Sequence, residues 1–526
     1  MSNAAYMDYI SNEIGYRDDV DNYALDSNDV DIKSKHIIFF FILGLVVAGL
    51  SGITETSGLI FTVASRGLLV LLIASLIMPL RWGVPLFFVL VLVGPDLVQA
   101  EWEVSLYGRI EVASIWRQRI GPLRPSWIIL GCSLIQIIRT MKPVLDSRVK
   151  RAMVWFLTVP FLTGFMYGAH TTVNAASEII GDIRYALMLI AGAVLSHSFL
   201  RKHPKSVGVV LAAFVGGLLG RLFCDVVYWI VGYGPQFGGV TRVSVDSAKS
   251  TVVLALLFAV YLLVIRKRIF LGTVLGLSSG LLITVFSTRM IWLTAPMCCA
   301  ILLYMFGAKR VIIVVPVVLV LAFASLQIIR RVRAESIEAL SGRTLGFERA
   351  ISGEEEGNFL QRLDPMRYSE ILNSVNVSMR RFSILWGSGY GSYYRDDVVR
   401  FPRKLISAHP EYAGSTGQFH FVHNFLFHTL FKYGIIGAFI IWSLWLPAWV
   451  CYRRVFNRGN PSMFNGLLAC LLAFVPCAII NLYWTGKAVF INGFLIAIFL
   501  SICDLYNEGA LESAPEREAE PGLEQA

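Results

Sequence analysis

Long apolar runs, separated by polar links, occupy most of the chain. About fourteen of them approach the roughly 20 residues that an α-helix needs to cross a bilayer, and the run at 126–139 is short for that purpose. They lie at about 36–54, 58–79, 83–99, 126–139, 152–170, 183–200, 206–232, 248–265, 269–288, 290–306, 311–329, 421–450, 463–482 and 488–506. The pattern predicts an all-α polytopic membrane protein with about 12–14 transmembrane helices.

One long polar segment breaks this pattern. Residues 330–420, here called the polar loop, are rich in Arg, Glu, Tyr, Gly and His. We predict a polar N-terminal tail at 1–35, transmembrane helices at 36–329, a large periplasmic loop at 330–420, transmembrane helices at 421–506 and a disordered C-terminal tail at 507–526. No other polar link between apolar runs is as long, so we expect the polar loop to take part in the function.

Basic clusters orient the chain, because short cytoplasmic loops collect Lys and Arg. Five such clusters lie at 139–151, 201–205, 266–268, 309–310 and 453–458, and all five can face the cytoplasm together. The polar loop is then outside the cytoplasm. Residues 100–125 carry four arginines and are also placed outside by this count. If the short run at 126–139 does not cross the membrane, that segment lies inside instead.

Composition agrees with a membrane protein and excludes an ordinary soluble domain. Hydrophobic residues make up 56% of the chain and charged residues 16%, against about 25% charged residues in soluble proteins. The net charge of +10 arises largely from the inter-span loops, so we expect no nucleic-acid partner. The eight cysteines lie in or beside apolar runs without CxxC spacing, which predicts neither a disulfide framework nor a cysteine metal site.

Ionisable residues inside an apolar run need a partner or a purpose, because each costs at least about 2.5–3.5 kcal/mol to insert. Arg66 has no partner nearby in sequence, and its role is open. Arg221 and Asp225 are four residues apart on one helix face, so they can form an ion pair. A structural pair is the preferred interpretation of these two residues.

Three arginines fall at the outer side of successive helical hairpins: Arg184, Arg242 and Arg289. A single arginine at such a place commonly extends into the lipid headgroups. Guanidinium groups also bind diphosphate oxygens in a bidentate manner. Three of them at one depth therefore predict a cationic rim for a polyanionic lipid headgroup.

Histidines concentrate where the polar loop meets the next apolar run. The spacing of His420, His423 and His428 is compatible with zinc, but carboxylate and cysteine ligands are missing around it. His423 is a candidate general base, since a neutral imidazole accepts a proton near neutral pH. The alternative is an interfacial histidine bound to a backbone carbonyl.

An aromatic and glycine-rich stretch, WGSGYGSYY at 386–394, lies inside the polar loop. Its aromatic rings, Tyr390 among them, suit stacking against sugar faces, although the same composition occurs in ordinary packed loops. No Lys-Ser or Lys-Thr follows, so it is not a phosphate-binding loop of the nucleotide-binding type.

Four motifs in this order resemble the O-antigen polymerase/ligase superfamily, the Wzy and WaaL proteins of bacterial surface-polysaccharide export. They are STR at 287–289, WGSGYG at 386–391, VHNFL at 422–426 and YGIIG at 433–437. The resemblance covers roughly residues 180–450. It implies an all-helical membrane fold with one large periplasmic loop, and glycan transfer from undecaprenyl diphosphate at the periplasmic face of the inner membrane.

We predict His423 and Arg289 as catalytic residues, the first activating the acceptor hydroxyl and the second stabilising the departing diphosphate. Substrate binding is predicted for Arg184, Arg242, Asn424 and Tyr390. The resemblance implies no cofactor and no required metal. The expected partners are an undecaprenyl-diphosphate-linked oligosaccharide and membrane lipid, together with a chain-length regulator and a flippase.

Three alternatives remain at this point. A ligase would transfer the glycan to lipid A core, and only the large aromatic loop favours a polymerase, which joins lipid-linked repeat units. A secondary transporter would show related halves, broken helices near mid-membrane and paired ionisable residues. A structural scaffold for an export complex would leave the outer arginines without a role.

Overall fold

The computed structural model describes residues 34–53, 57–96, 113–116, 123–140, 146–168, 175–231, 236–237, 240–241, 249–286, 289–332, 361, 365–401, 418–422, 425–459, 462–481 and 486–509. These residues are helical apart from turns, connecting segments, an isolated bridge and one short antiparallel pair, β1 (Gln236–Phe237) with β2 (Val240–Thr241). The expected all-α architecture is thus confirmed for the described part of the chain.

The helices follow the apolar runs closely. They are α1 (Ser34–Gly52), α2 (Leu59–Ile77), α3 (Leu80–Val93), α4 (Pro125–Arg139), α5 (Ser147–Met166), α6 (Ala175–Lys202), α7 (Val207–Val231), α8 (Val252–Val260), α9 (Ile269–Phe286), α10 (Arg289–Phe306), α11 (Val314–Val332), α12 (Pro365–Arg380), α13 (Phe425–Ser443), α14 (Leu446–Val450), α15 (Met463–Asn481) and α16 (Gly486–Asn507). Turns of π-helix at Tyr261–Ile265 and Cys451–Val455 extend α8 and α14.

The chain is a multi-pass membrane protein. In the described ranges, seven helical stretches are long and apolar enough to cross a membrane: Ser34–Gly52, Leu59–Ile77, Ala176–Lys202, Pro204–Val231, Leu426–Val455, Met463–Ile480 and Gly486–Asn507. Five shorter apolar helices accompany them, at Leu80–Val93, Pro125–Arg139, Val252–Ile265, Ile269–Val285 and Ile291–Phe306. The outer surface is apolar where lipid would contact it; on α2, for example, Leu59 and Ile77 are 78% and 76% exposed.

Two predicted segments contain features that the sequence pattern did not indicate. The run at 421–450 corresponds to the stretch Leu426–Val455, but it is not one regular helix, because the backbone at Gly434 is not helical and α13 ends at Ser443 before α14 begins. The polar loop contains the helix α12. Sequence periodicity does not reveal a break whose freed backbone groups are bonded by a distant segment.

Small residues allow the long helices to approach closely. Gly44 of α1 faces Gly217 of α7 so closely that a Cβ at Gly44 would lie 2.6 Å from the Cα of Gly217. Gly493 of α16 packs in the same way against the Leu189 carbonyl of α6. Lipid supplies no hydrophobic driving force between helices. Close packing at small residues can hold them together instead.

Four of the five basic clusters lie at one end of the helix bundle, here called the basic end. Arg201 at the end of α6 pairs with Glu508 beyond α16, and Cys503 contacts Cys451, two residues before Arg453. Aromatic contacts then connect Phe456 with Phe306 and Phe306 with Tyr261, which brings the clusters at 266–268 and 309–310 to the same end. The prediction that these clusters share a side is confirmed as a geometric relationship.

The contacts of α4 locate the described part of residues 100–125 relative to the basic end. Gly486, at the start of α16 and therefore at the end opposite Glu508, lies against Trp116 and Ser126. Arg139, at the other end of α4, donates a hydrogen bond of 2.6 Å to the Met78 carbonyl. The described residues 113–116 and 123–126 therefore lie at the end of the bundle opposite the basic end.

The ionisable residues inside the spans have different environments. Arg221 and Asp225 form the predicted ion pair, with Nε and Oδ2 2.6 Å apart, and Arg221 Nη1 also donates to the Val93 carbonyl. This pair holds α7 against the end of α3. Arg66 is on the exposed face of α2, and no carboxylate of the described chain pairs with it.

Candidate functional site

Three of the six predicted site residues, His423, Asn424 and Arg242, lie outside the described residues. Arg289 is the first residue of α10, but its side chain is outside the described part of the structure. Their proposed roles therefore remain predictions. The remaining two residues, Arg184 and Tyr390, have defined positions.

Arg184 lies in the first half of α6, where it is half-buried. Its guanidinium carbon is 4.9 Å from the ring centroid of Tyr185. The Nε of Arg184 is buried and has no hydrogen-bond partner among the described residues. A buried donor without a partner is costly, so this side chain retains the capacity to bind an anionic oxygen.

Tyr390 is a packing residue in this structure, which differs from its predicted role in stacking on a sugar. Its side chain is 1% exposed, and its hydroxyl donates to the Phe156 carbonyl of α5. Its ring packs edge-on against Tyr433, with centroids 5.9 Å apart. Burial also raises the pKa of the Tyr390 hydroxyl above its ordinary value. The aromatic motif therefore anchors the polar loop instead of presenting this ring to a ligand.

The two glycine motifs of the resemblance interlock at a break in α13. Gly434 has φ 70° and ψ −174°, a conformation essentially restricted to glycine. A continuous helix would pair the amides of Ile435 and Ile436 with carbonyls four residues earlier. Instead these amides donate to the carbonyls of Ile384 and Leu385 in the polar loop, at 2.9 and 3.1 Å.

The polar loop also supplies donors for the carbonyls that the break leaves free. The amide of Ser388 donates to the Phe431 carbonyl at 2.7 Å, and that of Gly389 donates to the Lys432 carbonyl at 3.0 Å. Two helical hydrogen bonds are missing at the break. The polar loop bonds both of the amides and both of the carbonyls that these two bonds would have joined. Irregular backbone at membrane depth is tolerated when its polar groups are bonded inside the protein in this way.

Glycine at 387 and 389 permits this docking. Both residues have positive φ, 86° and 80°, and a Cβ at either would overlap neighbouring backbone. At Gly387 the obstacle is the Lys432 carbonyl, and at Gly389 it is the backbone of Gly164 in α5. The glycines of WGSGYG therefore let the backbone of the polar loop approach both α5 and α13 closely.

A buried ion pair lies beside the docked loop. Lys432 of α13 is 1% exposed, and its Nζ is 2.8 Å from Oδ2 of Asp182 in α6. The same oxygen accepts from the amide of Gly391 at 2.8 Å, while Lys432 Nζ also donates to the Ser392 carbonyl at 2.9 Å. Two helices and the polar loop are joined through these four residues.

Sequence reasoning missed Lys432, although a signal was present. It is a lone cation within an apolar run, which by itself suggests a functional or structural role. Its partner Asp182 lies 250 residues away along the chain. No local spacing rule connects two such residues.

His420 lies at the edge of this pair. Its ring is half-buried and 6.0 Å from the ring of Tyr393, and its Nδ1 has no hydrogen-bond partner among the described residues. Burial lowers the pKa of His420 and Lys432 lowers it further, against the opposing effect of Glu178 and Asp182. His420 is thus favoured in its neutral form near pH 7.

A short bridge fixes the segment that carries His420. The backbones of Tyr394 and Phe419 exchange hydrogen bonds of 3.0 and 2.9 Å, and the Tyr394 hydroxyl donates to the Phe421 carbonyl at 3.1 Å. The chain then passes through Val422, whose amide donates to Nδ1 of His428 at 3.3 Å. The segment just before residues 423–424 is therefore held against α13, and α13 itself begins just after them.

The site lies opposite the basic end of the bundle. The long helices α6 and α16 run parallel, as shown by the contacts of Leu189 with Gly493 and of Arg201 with Glu508. Asp182 and Arg184, in the first third of α6, are therefore remote from the basic end. The arrangement places Lys432 and the neutral imidazole of His420 beside the polar loop, with Arg184 on the neighbouring helix α6. Cations of this kind suit the binding of anions, and a neutral imidazole suits the acceptance of a proton.

Comparisons with known protein families, curated proteins and solved structures find no match for this chain. The sequence motifs and the geometry of the site are therefore the features that bear on its function.

Proposed function

We propose that this protein is a bacterial surface-polysaccharide polymerase acting in exopolysaccharide or O-antigen synthesis. It transfers glycan from undecaprenyl diphosphate to a sugar hydroxyl of another lipid-linked repeat unit, at the periplasmic face of the inner membrane. In this proposal about 12–14 helices span the membrane, and the polar loop faces the periplasm. The ligase reaction, with lipid A core as acceptor, is the alternative within the same chemistry.

The observation that carries the proposal is the interlocking of the motifs WGSGYG and YGIIG. They are separated by about forty residues in the sequence, yet the segments 384–389 and 431–436, which overlap them, are joined by four backbone hydrogen bonds. This supports the view that they form one unit, which holds the polar loop against the middle of α13. The motif VHNFL lies shortly before YGIIG, and Asp182 and Arg184 lie in the first part of the helix packed beside it.

The proposed reaction is a displacement at the anomeric carbon of the donor. His423 accepts the proton of the acceptor hydroxyl, whose oxygen forms the new glycosidic bond. The bond between the anomeric carbon and the diphosphate oxygen breaks, and the diphosphate leaves with the electron pair. Arg289 and Arg242 stabilise the charge on the departing diphosphate, with Arg184 as a third cation; Asn424 orients the acceptor.

The absence of a long soluble segment limits the form of the donor. The polar loop spans about ninety residues, which is short for a nucleotide-sugar-binding domain added to a membrane protein. An activated sugar carried by a membrane lipid fits this architecture. A flippase would deliver that donor, and a chain-length regulator would act on the growing polymer.

A deletion strain complemented with variants tests the proposal. Loss of a polymerase leaves single repeat units on the cell surface, whereas loss of a ligase leaves polymer on undecaprenyl diphosphate. His423→Ala should fail to restore polymer, while His203→Ala, a histidine at the basic end, should restore it. Near-normal polymer from His423→Ala would reject the assigned base.

A secondary transporter is the second candidate, because the structure has a broken helix and a buried ion pair in a span. Broken helices in transporters free backbone groups to bind the substrate. At Gly434, however, the polar loop already bonds those groups, which favours the transferase. Flux of labelled glycan lipid into proteoliposomes, without any joined product, would reverse this preference.

A further inference from the structure

Two guanidinium groups meet the ring of Tyr393 on the surface of the polar loop. The guanidinium carbons of Arg381 and Arg395 are 5.4 and 5.8 Å from the ring centroid. We call these three residues the Tyr393 cluster. Arg381 directly follows the end of α12, and Arg395 lies two residues after Tyr393.

The local backbone determines which residues belong to the cluster. Tyr394 is fully buried and bridges to Phe419. Alternate residues of an extended segment face opposite sides, so the burial of Tyr394 directs Tyr393 and Arg395 away from the core. Arg395 is accordingly exposed, and Tyr393 is half-buried.

The cluster carries positive charge that no described carboxylate pairs with. In the described ranges neither Arg381 nor Arg395 forms an ion pair with a carboxylate, including the adjacent Asp396 and Asp397. Moreover, Nη1 of Arg381 is buried without a hydrogen-bond partner there. Leaving a buried charged donor unbonded is costly, so this nitrogen is available to a group that the described residues do not provide.

We propose that the Tyr393 cluster binds an acidic substituent of the glycan, a carboxylate or a phosphate carried by one of its sugars. This inference rests on the proposed function and names the substrate class: the repeat unit is acidic. A planar guanidinium binds either group through two parallel hydrogen bonds. The ring of Tyr393 fixes both guanidinium groups in place and so reduces the entropy lost on binding.

The position of the cluster favours the sugar over the carrier lipid as the source of the anion. The cluster belongs to the polar loop, whereas Arg184 lies within the membrane helix α6 and Arg289 is the first residue of α10. His420, whose ring is 6.0 Å from that of Tyr393, lies three residues before His423. A glycan approaching His423 would therefore pass beside the Tyr393 cluster.

Binding to the full-length protein in lipid nanodiscs tests this inference without turnover. The probes are a hyaluronan tetrasaccharide, which carries glucuronate, the neutral tetrasaccharide of N-acetylglucosamine, and geranyl diphosphate as a mimic of the carrier. The acidic tetrasaccharide should bind more tightly than the neutral one. Arg381→Gln and Arg395→Gln should each weaken acidic binding by roughly tenfold, as expected for loss of one charge-assisted hydrogen bond.

Arg380→Gln is the matched control, because Arg380 is exposed and adjacent to Arg381 but has no ring contact with Tyr393. It should leave acidic binding unchanged. Arg381→Lys keeps the positive charge but not the planar guanidinium, so it should give an intermediate affinity for the acidic probe. That result would show that the weaker binding of Arg381→Gln does not come from misfolding.

Equal binding of the acidic and neutral probes would overturn the inference, as would an equal loss in Arg380→Gln. A loss confined to geranyl diphosphate would assign the cluster to the carrier and would also overturn it. These outcomes are independent of the polymerase assignment. A fully active His423→Ala variant would remove the proposed function, whereas the binding experiment does not involve His423.

Discussion

The ammonium group of Lys432 lies 2.8 Å from Oδ2 of Asp182, although 250 residues separate them along the chain. This buried contact joins α6 to α13, and both partners also bond the polar loop backbone. The position of the polar loop therefore depends on a charge pair that the membrane helices supply.

Removing one partner of this pair should strongly destabilise the fold. Lys432→Met or Asp182→Asn leaves a buried charged group without its partner, for which we expect a loss of roughly 3–5 kcal/mol. The double variant should recover part of that loss, since both charges are then absent. Thermal unfolding of the purified protein, followed by tryptophan fluorescence, measures both effects.

The exposed pair of Arg201 and Glu508 provides the control. Side chains in this pair are 26% and 48% exposed, so Arg201→Gln should cost no more than about 1 kcal/mol. Equal losses at the buried and exposed pairs would contradict the role assigned to Lys432.

Replacement of Gly434 should separate the polar loop from α13. Gly434→Ala places a side chain against the Leu385 carbonyl in a backbone conformation that costs other residues about 1–3 kcal/mol. We expect increased proteolysis of the polar loop and loss of polymer in complemented cells. Gly131→Ala in α4 is the control, because a Cβ there meets no atom within 4 Å; unchanged proteolysis in Gly434→Ala would reject the account of the break.

Acidification should reduce stability partly through His420. Its pKa is lowered in the folded protein by burial and by Lys432, so below about pH 6.5 the unfolded chain binds this proton more readily. The contribution of His420 to the free energy of unfolding is therefore fully present above that pH. It is lost as the pH drops towards the lowered pKa. In His420→Gln the melting temperature should decrease less between about pH 7 and pH 5 than in the wild type; superimposable pH profiles would contradict this.

The topology can be tested with introduced cysteines, because all eight native cysteines are buried and should react little. Val398→Cys, at an exposed position of the polar loop, should react with a membrane-impermeant maleimide in intact spheroplasts. Lys267→Cys, exposed between α8 and α9, should react only after permeabilisation. The reverse pattern would place the polar loop in the cytoplasm.

Sequence patterns predicted the helices and the shared side of the basic clusters well, because both depend on local properties. Run length and apolar content specify a membrane helix, and the spacing of four between Arg221 and Asp225 specifies a pair on one face. The break at Gly434 was not predicted, because it depends on hydrogen bonds from the distant residues 384–389.

The candidate site was less predictable than the fold. Tyr390 carries an aromatic ring in a glycine-rich loop, which is compatible with either exposure or burial; close approach of Gly389 to α5 determines that it is buried. Arg381 and Tyr393 are twelve positions apart, and only the fold of the polar loop brings them together.

Polymerisation by the purified protein tests the central claim most directly. The full chain is reconstituted in proteoliposomes with repeat units linked to undecaprenyl diphosphate, and the products are separated by length. We expect chains of several repeat units with release of undecaprenyl diphosphate, and a rate about 10²–10⁴-fold lower in His423→Ala, as for loss of a general base. Transport of the repeat units without chain growth, or equal chain growth in His423→Ala and His203→Ala, would contradict the account.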